Sequence, residues 1–151
     1  MLEYRIEEKP QFTVMGLSRM FSYETSYQEI PKFWNEVLSV EKPPVWGMYG
    51  LCLGGAEKEF EYVIADDYVP CKPVPEGCVV RVIPGFTWAI FPCKGPIPQA
   101  LQAVNTEIWD QWLPNHKEYR LSANMDIEFY TPPAENPEDN YCEIWLPVEK
   151  V

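Results

Sequence analysis

Apolar and polar residues alternate with a period of two along much of this chain and fall into a helical period in two places, a pattern that predicts an α+β protein. A short strand is expected over 4–7, with a turn at Pro10. A long β-type run follows over 12–24 (FTVMGLSRMFSYE), with Gly16 as a candidate bulge. Ile30, Phe33, Trp34, Val37 and Leu38 then recur at helical spacing. Ser26 and Glu29 are spaced as a capping box and Pro31 also suits a first turn, so the helix start stays open between them. Pro43-Pro44 ends that helix, and strands are expected over 45–53 and 60–69, joined by a turn at 54–56. The segment PCKPVPEG (70–77) is a connection rather than a regular element. Strands over 78–83 and 86–93 flank the turn Pro84-Gly85. After Gly95-Pro96, Leu101, Val104, Ile108 and Trp112 form the buried stripe of a second helix, closed by Pro114 and Asn115. A strand over 126–131, a polar loop (PPAENPEDN) and a last strand over 141–148, bounded by Asn140 and Pro147, complete the chain.

The order strand, helix, strand, strand occurs over about 12–69 and again over about 86–148, and both helices open with Ile-Pro (Ile30-Pro31, Ile97-Pro98). This pattern predicts a single domain over 1–151, built from two repeats that form one mainly antiparallel sheet with two helices on one face. Aligning the final strands of the repeats makes Tyr62 the counterpart of Glu143, both looking into one groove between the halves. Alternation in the last strand puts Cys142, Ile144 and Leu146 on one face, and Tyr141, Glu143 and Trp145 on the other. Both faces are apolar apart from Glu143, so something must cover the face away from the helices: a ligand or a partner chain. Glu143 itself has two readings. It pairs with a basic side chain or reaches water at the sheet rim. Alternatively, it stays unpaired in an aromatic groove and awaits a cationic ligand.

Composition narrows the classes. The 151 residues include 46% hydrophobic and 15% aromatic positions, enough for one sizeable core. Twenty-three acids against 12 bases give a net charge of −11, and no basic cluster or helix-turn-helix pattern is present, which argues against nucleic acid as a direct partner. No apolar run nears the ~20 residues that span a bilayer and no signal pattern opens the chain, so a cytoplasmic protein without membrane contact is expected. The five cysteines, at 52, 71, 78, 93 and 142, contain no Cys-x-x-Cys pair and read as reduced structural thiols. No metal or cofactor site is expected. His116 lies at a helix exit, where it complements the helix C-terminus. Glu57, Glu59, Glu61, Asp66 and Asp67 read as a solvated strand edge.

Candidate ligand-binding residues are Glu143, Tyr62 and the strand aromatics Trp46, Trp88, Tyr130, Tyr141 and Trp145, each of which has an ordinary core role as its alternative. Trp34, Trp109 and Trp112 sit on helices; Trp34 and Trp112 join the apolar stripes and belong to the core. If the protein is an enzyme, burial would raise the Glu143 pKa and suit it to activating water, with the Tyr62 hydroxyl polarising the electrophile.

The segments VPEG (74–77), IPGFTWAIF (83–91) and KGP (94–96), and the close EIWLPV (143–148), resemble the GyrI-like small-molecule-binding domain. Members show a proline-glycine turn, an aromatic-Ala-aliphatic-Phe strand, a Gly-Pro before the second helix, and an acidic-Ile-x-x-Pro-aliphatic ending. The resemblance implies two repeats making a curved sheet, two helices on one side and a ligand groove on the other. The same domain is the effector-binding half of AraC- and MerR-type multidrug regulators, where a glutamate at the floor of an aromatic pocket attracts lipophilic cations; Glu143 would take that role. This chain departs from those regulators in showing no DNA-binding segment, so a stand-alone domain is expected. Three functions follow from the resemblance: binding of lipophilic, cationic or planar aromatic small molecules; hydrolytic opening of cyclopropane-containing electrophiles; or a gyrase-modulating, protein-interaction role.

Overall fold

A computed structural model describes residues 2–54 and 58–151; most of the expected turn at 54–56 and the edge acid Glu57 lie outside the described residues. In chain order the elements are β1 (Arg5–Lys9), β2 (Phe12–Ser22), α1 (Ser26–Leu38), β3 (Tyr49–Leu53), β4 (Glu59–Asp67), β5 (Val79–Ile83), β6 (Phe86–Lys94), α2 (Gln99–Glu107), β7 (Tyr119–Leu121), β8 (Met125–Tyr130) and β9 (Tyr141–Lys150). The fold is α+β, and its described strand pairs are antiparallel. The chain divides into two compact units. The central unit is Gln11–Pro84; the terminal unit joins the residues up to Pro10 to Gly85–Val151.

In the central unit the strands lie in the order β3-β4-β2-β5. Phe60, Tyr62 and Ile64 of β4 face the apolar stripe of α1, where Phe33 and Val37 are buried. Gly16 is not a bulge: β2 pairs with β4 in unbroken register through it, and the pairing with β5 reaches it without a break. A Cβ there would meet the Ile64 carbonyl oxygen, so the glycine permits close strand approach instead. The capping box does not form, because the helix starts from Thr25 without a side-chain cap and Ser26 is already helical. The strand expected over 45–53 begins only at Tyr49. Ahead of it, the backbone N–H groups of Trp46, Gly47 and Met48 all donate to the Asp66 carboxylate at 3.0 Å. Asp66 is thus a loop anchor rather than a solvated edge.

The terminal unit repeats the plan, with strand order β1-β6-β9-β8 and β7 pairing further along β9. Ala89, Phe91 and Cys93 of β6 and Cys142, Ile144, Leu146 and Val148 of β9 pack against Leu101 and Ile108, with Val104 and Trp112 closing the cluster. Fully burying each large side chain here stabilises the fold by roughly 1.5–3 kcal/mol. The second helix continues beyond α2 through a π-helical turn at Ile108–Trp112, which sequence periodicity did not signal. Cys93 and Cys142 face each other across β6 and β9; the hydrogen bond between the thiols and their burial push Cys93 far above an ordinary thiol pKa, in keeping with a structural role. His116 packs between the rings of Trp112, at 4.2 Å, and Tyr119, at 5.9 Å.

Pro147 does not end the last strand, which runs to Lys150. On one side it faces Trp88 of β6; on the other it falls between the residues paired with β8 and those paired with β7. Its missing N–H therefore breaks no ladder bond. No helix among the described residues is long and apolar enough to cross a membrane.

Candidate functional site

The site is built on the terminal unit's sheet face opposite α2. Alternation along β6 and β9 turns Trp88, Glu143 and Trp145 away from the helix, and the register sets Ile127 opposite Trp145 and Phe129 opposite Glu143. Trp145 is the hub. Its ring stacks on Phe129 at 5.4 Å, meets Trp88 at 5.9 Å and lies under the Lys9 ammonium at 4.7 Å. The Trp88 indole N–H is buried with no acceptor among the described residues.

Glu143 is only 5% exposed and is held by three donors. Tyr141 donates its hydroxyl to Oε2 at 2.6 Å, Arg5 donates from a guanidinium nitrogen to the same oxygen at 2.9 Å, and Trp145 donates its indole N–H to Oε1 at 2.9 Å. The carboxylate is therefore paired, as the first of the two sequence readings had it. Burial alone would push its pKa up, but the donors Tyr141, Trp145 and Arg5 together outweigh that and hold it below the ordinary carboxylate value. The raised pKa expected of a general base is not found, because hydrogen bonds to the charged form win over desolvation. Burial, and then the bond to Glu143, push the Tyr141 hydroxyl up, so it remains a donor.

The structure brings Glu143, Tyr141, Trp145 and Trp88 together on one face of the terminal unit; Tyr130 lies in the same unit, and Tyr62 and Trp46 belong to the central unit. Tyr62 is wholly buried on the helix side of β4 and accepts the Trp34 indole N–H at 2.8 Å. The counterpart of Glu143 on the opposite face is thus not Tyr62, since aligning the repeats one residue out of register moves every side chain to the other face. The same parity puts Tyr130 with the helix-side cluster, where its hydroxyl donates to Glu128 at 2.8 Å. Trp46 lies in the loop before β3 and is half exposed. Sequence reasoning missed Phe129, whose even spacing from Ile127 was the available signal. It also missed Arg5, which no local pattern ties to a residue so distant in the chain.

No group of metal-ligating side chains is found among the described residues. The model of the integron-associated effector binding protein family matches residues 5–148. The transcriptional regulator BrlR of Pseudomonas aeruginosa is 28% identical over 95% of this chain, which spans 54% of that protein's length. SAV2435, solved bound to tetraphenylphosphonium, superposes with a TM-score of 0.81 at 19% identity over 98% of this chain and 94% of its own. An integron cassette protein from the mobile metagenome of Vibrio cholerae gives 0.76 at 18% identity over 97% and 95%. These superpositions agree with the GyrI-like fold.

Proposed function

The chain belongs to the integron-associated effector binding protein family, a family of small-molecule-binding domains, and from that premise we propose that its ligands are lipophilic aromatic cations received at Glu143. The observation that carries the reading is a buried carboxylate oriented by Tyr141 and Trp145 beside the rings of Trp88, Trp145 and Phe129. Taken out of water, such a carboxylate attracts a cation more strongly than a solvated one does. Each ring face adds roughly 0.5–2 kcal/mol of cation–π attraction, a gain that Trp145 already makes with Lys9.

The hydrolytic alternative needs a carboxylate with a raised pKa and a free oxygen facing water; three donors and a lowered pKa speak against Glu143 in that role. The binding reading is tested by titrating tryptophan fluorescence with tetraphenylphosphonium, a neutral aromatic of similar size and an aromatic anion, with Glu143→Gln in parallel. Quenching selective for the cation and weakened at least tenfold in the variant is expected. Equal affinity in both proteins, within threefold, would sink the role of the carboxylate.

A further inference from the structure

The geometry points to Arg5 as a resident cation that occupies the ligand's place on Glu143, so that a ligand binds by displacing it. The inference rests on the reading of Glu143 as the cation-binding group and adds how that group is guarded. Of the three donors on Glu143, only Arg5 carries a charge. It is also the outermost: its side chain is 46% exposed, above a carboxylate whose side chain is 7% exposed. Its removal would leave Glu143 oriented by Tyr141 and Trp145, with a lone pair of Oε2 open and its charge uncompensated. That is the unpaired carboxylate an aromatic cation requires.

Arg5 has somewhere to go. Its Nε already donates to Glu7 Oε1 at 3.2 Å, two residues along the same strand. Beside it lies a depression of about 320 Å³ lined by Glu3, Arg5, Pro92, Lys94 and Tyr141. The Glu3 carboxylate there offers the guanidinium a second partner outside the site. Lys9 follows on the same face of β1 and covers the Trp145 ring. One edge strand, paired with β6, thus lays an arginine on the carboxylate and a lysine on the aromatic face.

The consequence is a threshold. Being tethered, Arg5 competes at high effective concentration and lowers the affinity of every cation by the same factor, the reciprocal of the fraction of molecules with Glu143 uncovered. A small hydrated amine brings nothing that a guanidinium lacks. A cation with aromatic surface gains the rings of Trp145 and Phe129 as well, and crosses the threshold.

Tetraphenylphosphonium affinity is measured by calorimetry for the wild-type chain and Arg5→Met, which keeps the aliphatic stem, with folding checked by thermal melting. At least tenfold tighter binding to Arg5→Met is expected. In the wild type, ¹⁵N spectra of the arginine side chains should show the Arg5 Nη–H protons losing their protection from exchange as the ligand saturates. Equal or weaker binding by folded Arg5→Met, or Nη–H protons that stay protected in the saturated wild type, overturns the displacement alone. Binding by neither protein overturns the lipophilic-cation reading and this inference with it. The wild-type spectra decide the matter even if the variant fails to fold.

Discussion

Both units carry a glutamate on the sheet face away from the helix, held by an arginine from an edge strand two places along the sheet: Glu143 by Arg5 in the terminal unit and Glu61 by Arg81 in the central one. In the central unit Arg81 grips both oxygens of Glu61, at 3.0 and 2.8 Å, and Ser18 donates at 2.7 Å. That carboxylate keeps 23% of its side-chain surface and lies among aliphatic residues, Val63 and Leu51 nearby being fully buried. Its counterpart has a single guanidinium contact, little exposure, and an indole and a phenol as its other donors. The better ion-pair geometry therefore belongs to the pair without flanking aromatic donors. Bidentate pairing marks a clamp between strands, worth on the order of 1 kcal/mol when partly exposed. On the displacement proposal, looser pairing over a desolvated, ring-flanked carboxylate leaves the cation exchangeable.

The largest effect expected from challenging this contrast lies on the other face of the central sheet. Tyr62→Ala should cost about 3–5 kcal/mol in urea unfolding, as loss of a fully buried aromatic does, while Tyr62→Phe should cost about 1 kcal/mol through the Trp34 hydrogen bond. A smaller loss in the alanine variant would show the ring to be less embedded than the structure has it. Next, Glu143→Gln should weaken tetraphenylphosphonium binding at least tenfold and Glu61→Gln less than threefold; equal losses would erase the distinction between the two pairs.

Acid provides a finer comparison. Hydrogen bonds from Arg81, opposed by burial, hold Glu61 low, and the balance at Glu143 also ends low. Each carboxylate therefore contributes stability that is present above the ordinary value of 4.5 and lost as pH falls through its folded-state pKa. Urea midpoints should drop below that pH, and Glu143→Gln and Glu61→Gln should each flatten the drop. The smallest effect should come from Trp46→Ala, within about 0.5 kcal/mol of wild type and under threefold in ligand affinity. The exposed ring leaves the Asp66 anchoring of its loop untouched.

Much of the site was legible locally. Glu143, Tyr141 and Trp145 share a face because strand side chains alternate, and Trp88 reaches that face by the same rule from β6. The errors over the two tyrosines that lie on the helix side share one cause. Tyr62 and Tyr130 were assigned by aligning repeats and counting aromatics, and either is sound only if the register is right to the residue; a slip of one reverses the face. Trp46 lies in a loop and not on a strand because Asp66 draws three backbone N–H groups away from a ladder, a competition invisible in an apolar pattern.

By itself the sequence determined the α+β class, the duplicated strand-helix-strand-strand order, both helical stripes and the carboxylate between two rings, because each depends on residues a few positions apart. Only the tertiary structure decided that β1 and β5 add an edge strand to the repeats, and that Arg5 closes over a glutamate near the other end of the chain. Those contacts depend on which strands become neighbours, and that is set by the packing of whole units rather than by any local pattern. Whether Glu143 stands bare or guarded is a property of such a contact, so no reading of its own strand could settle it.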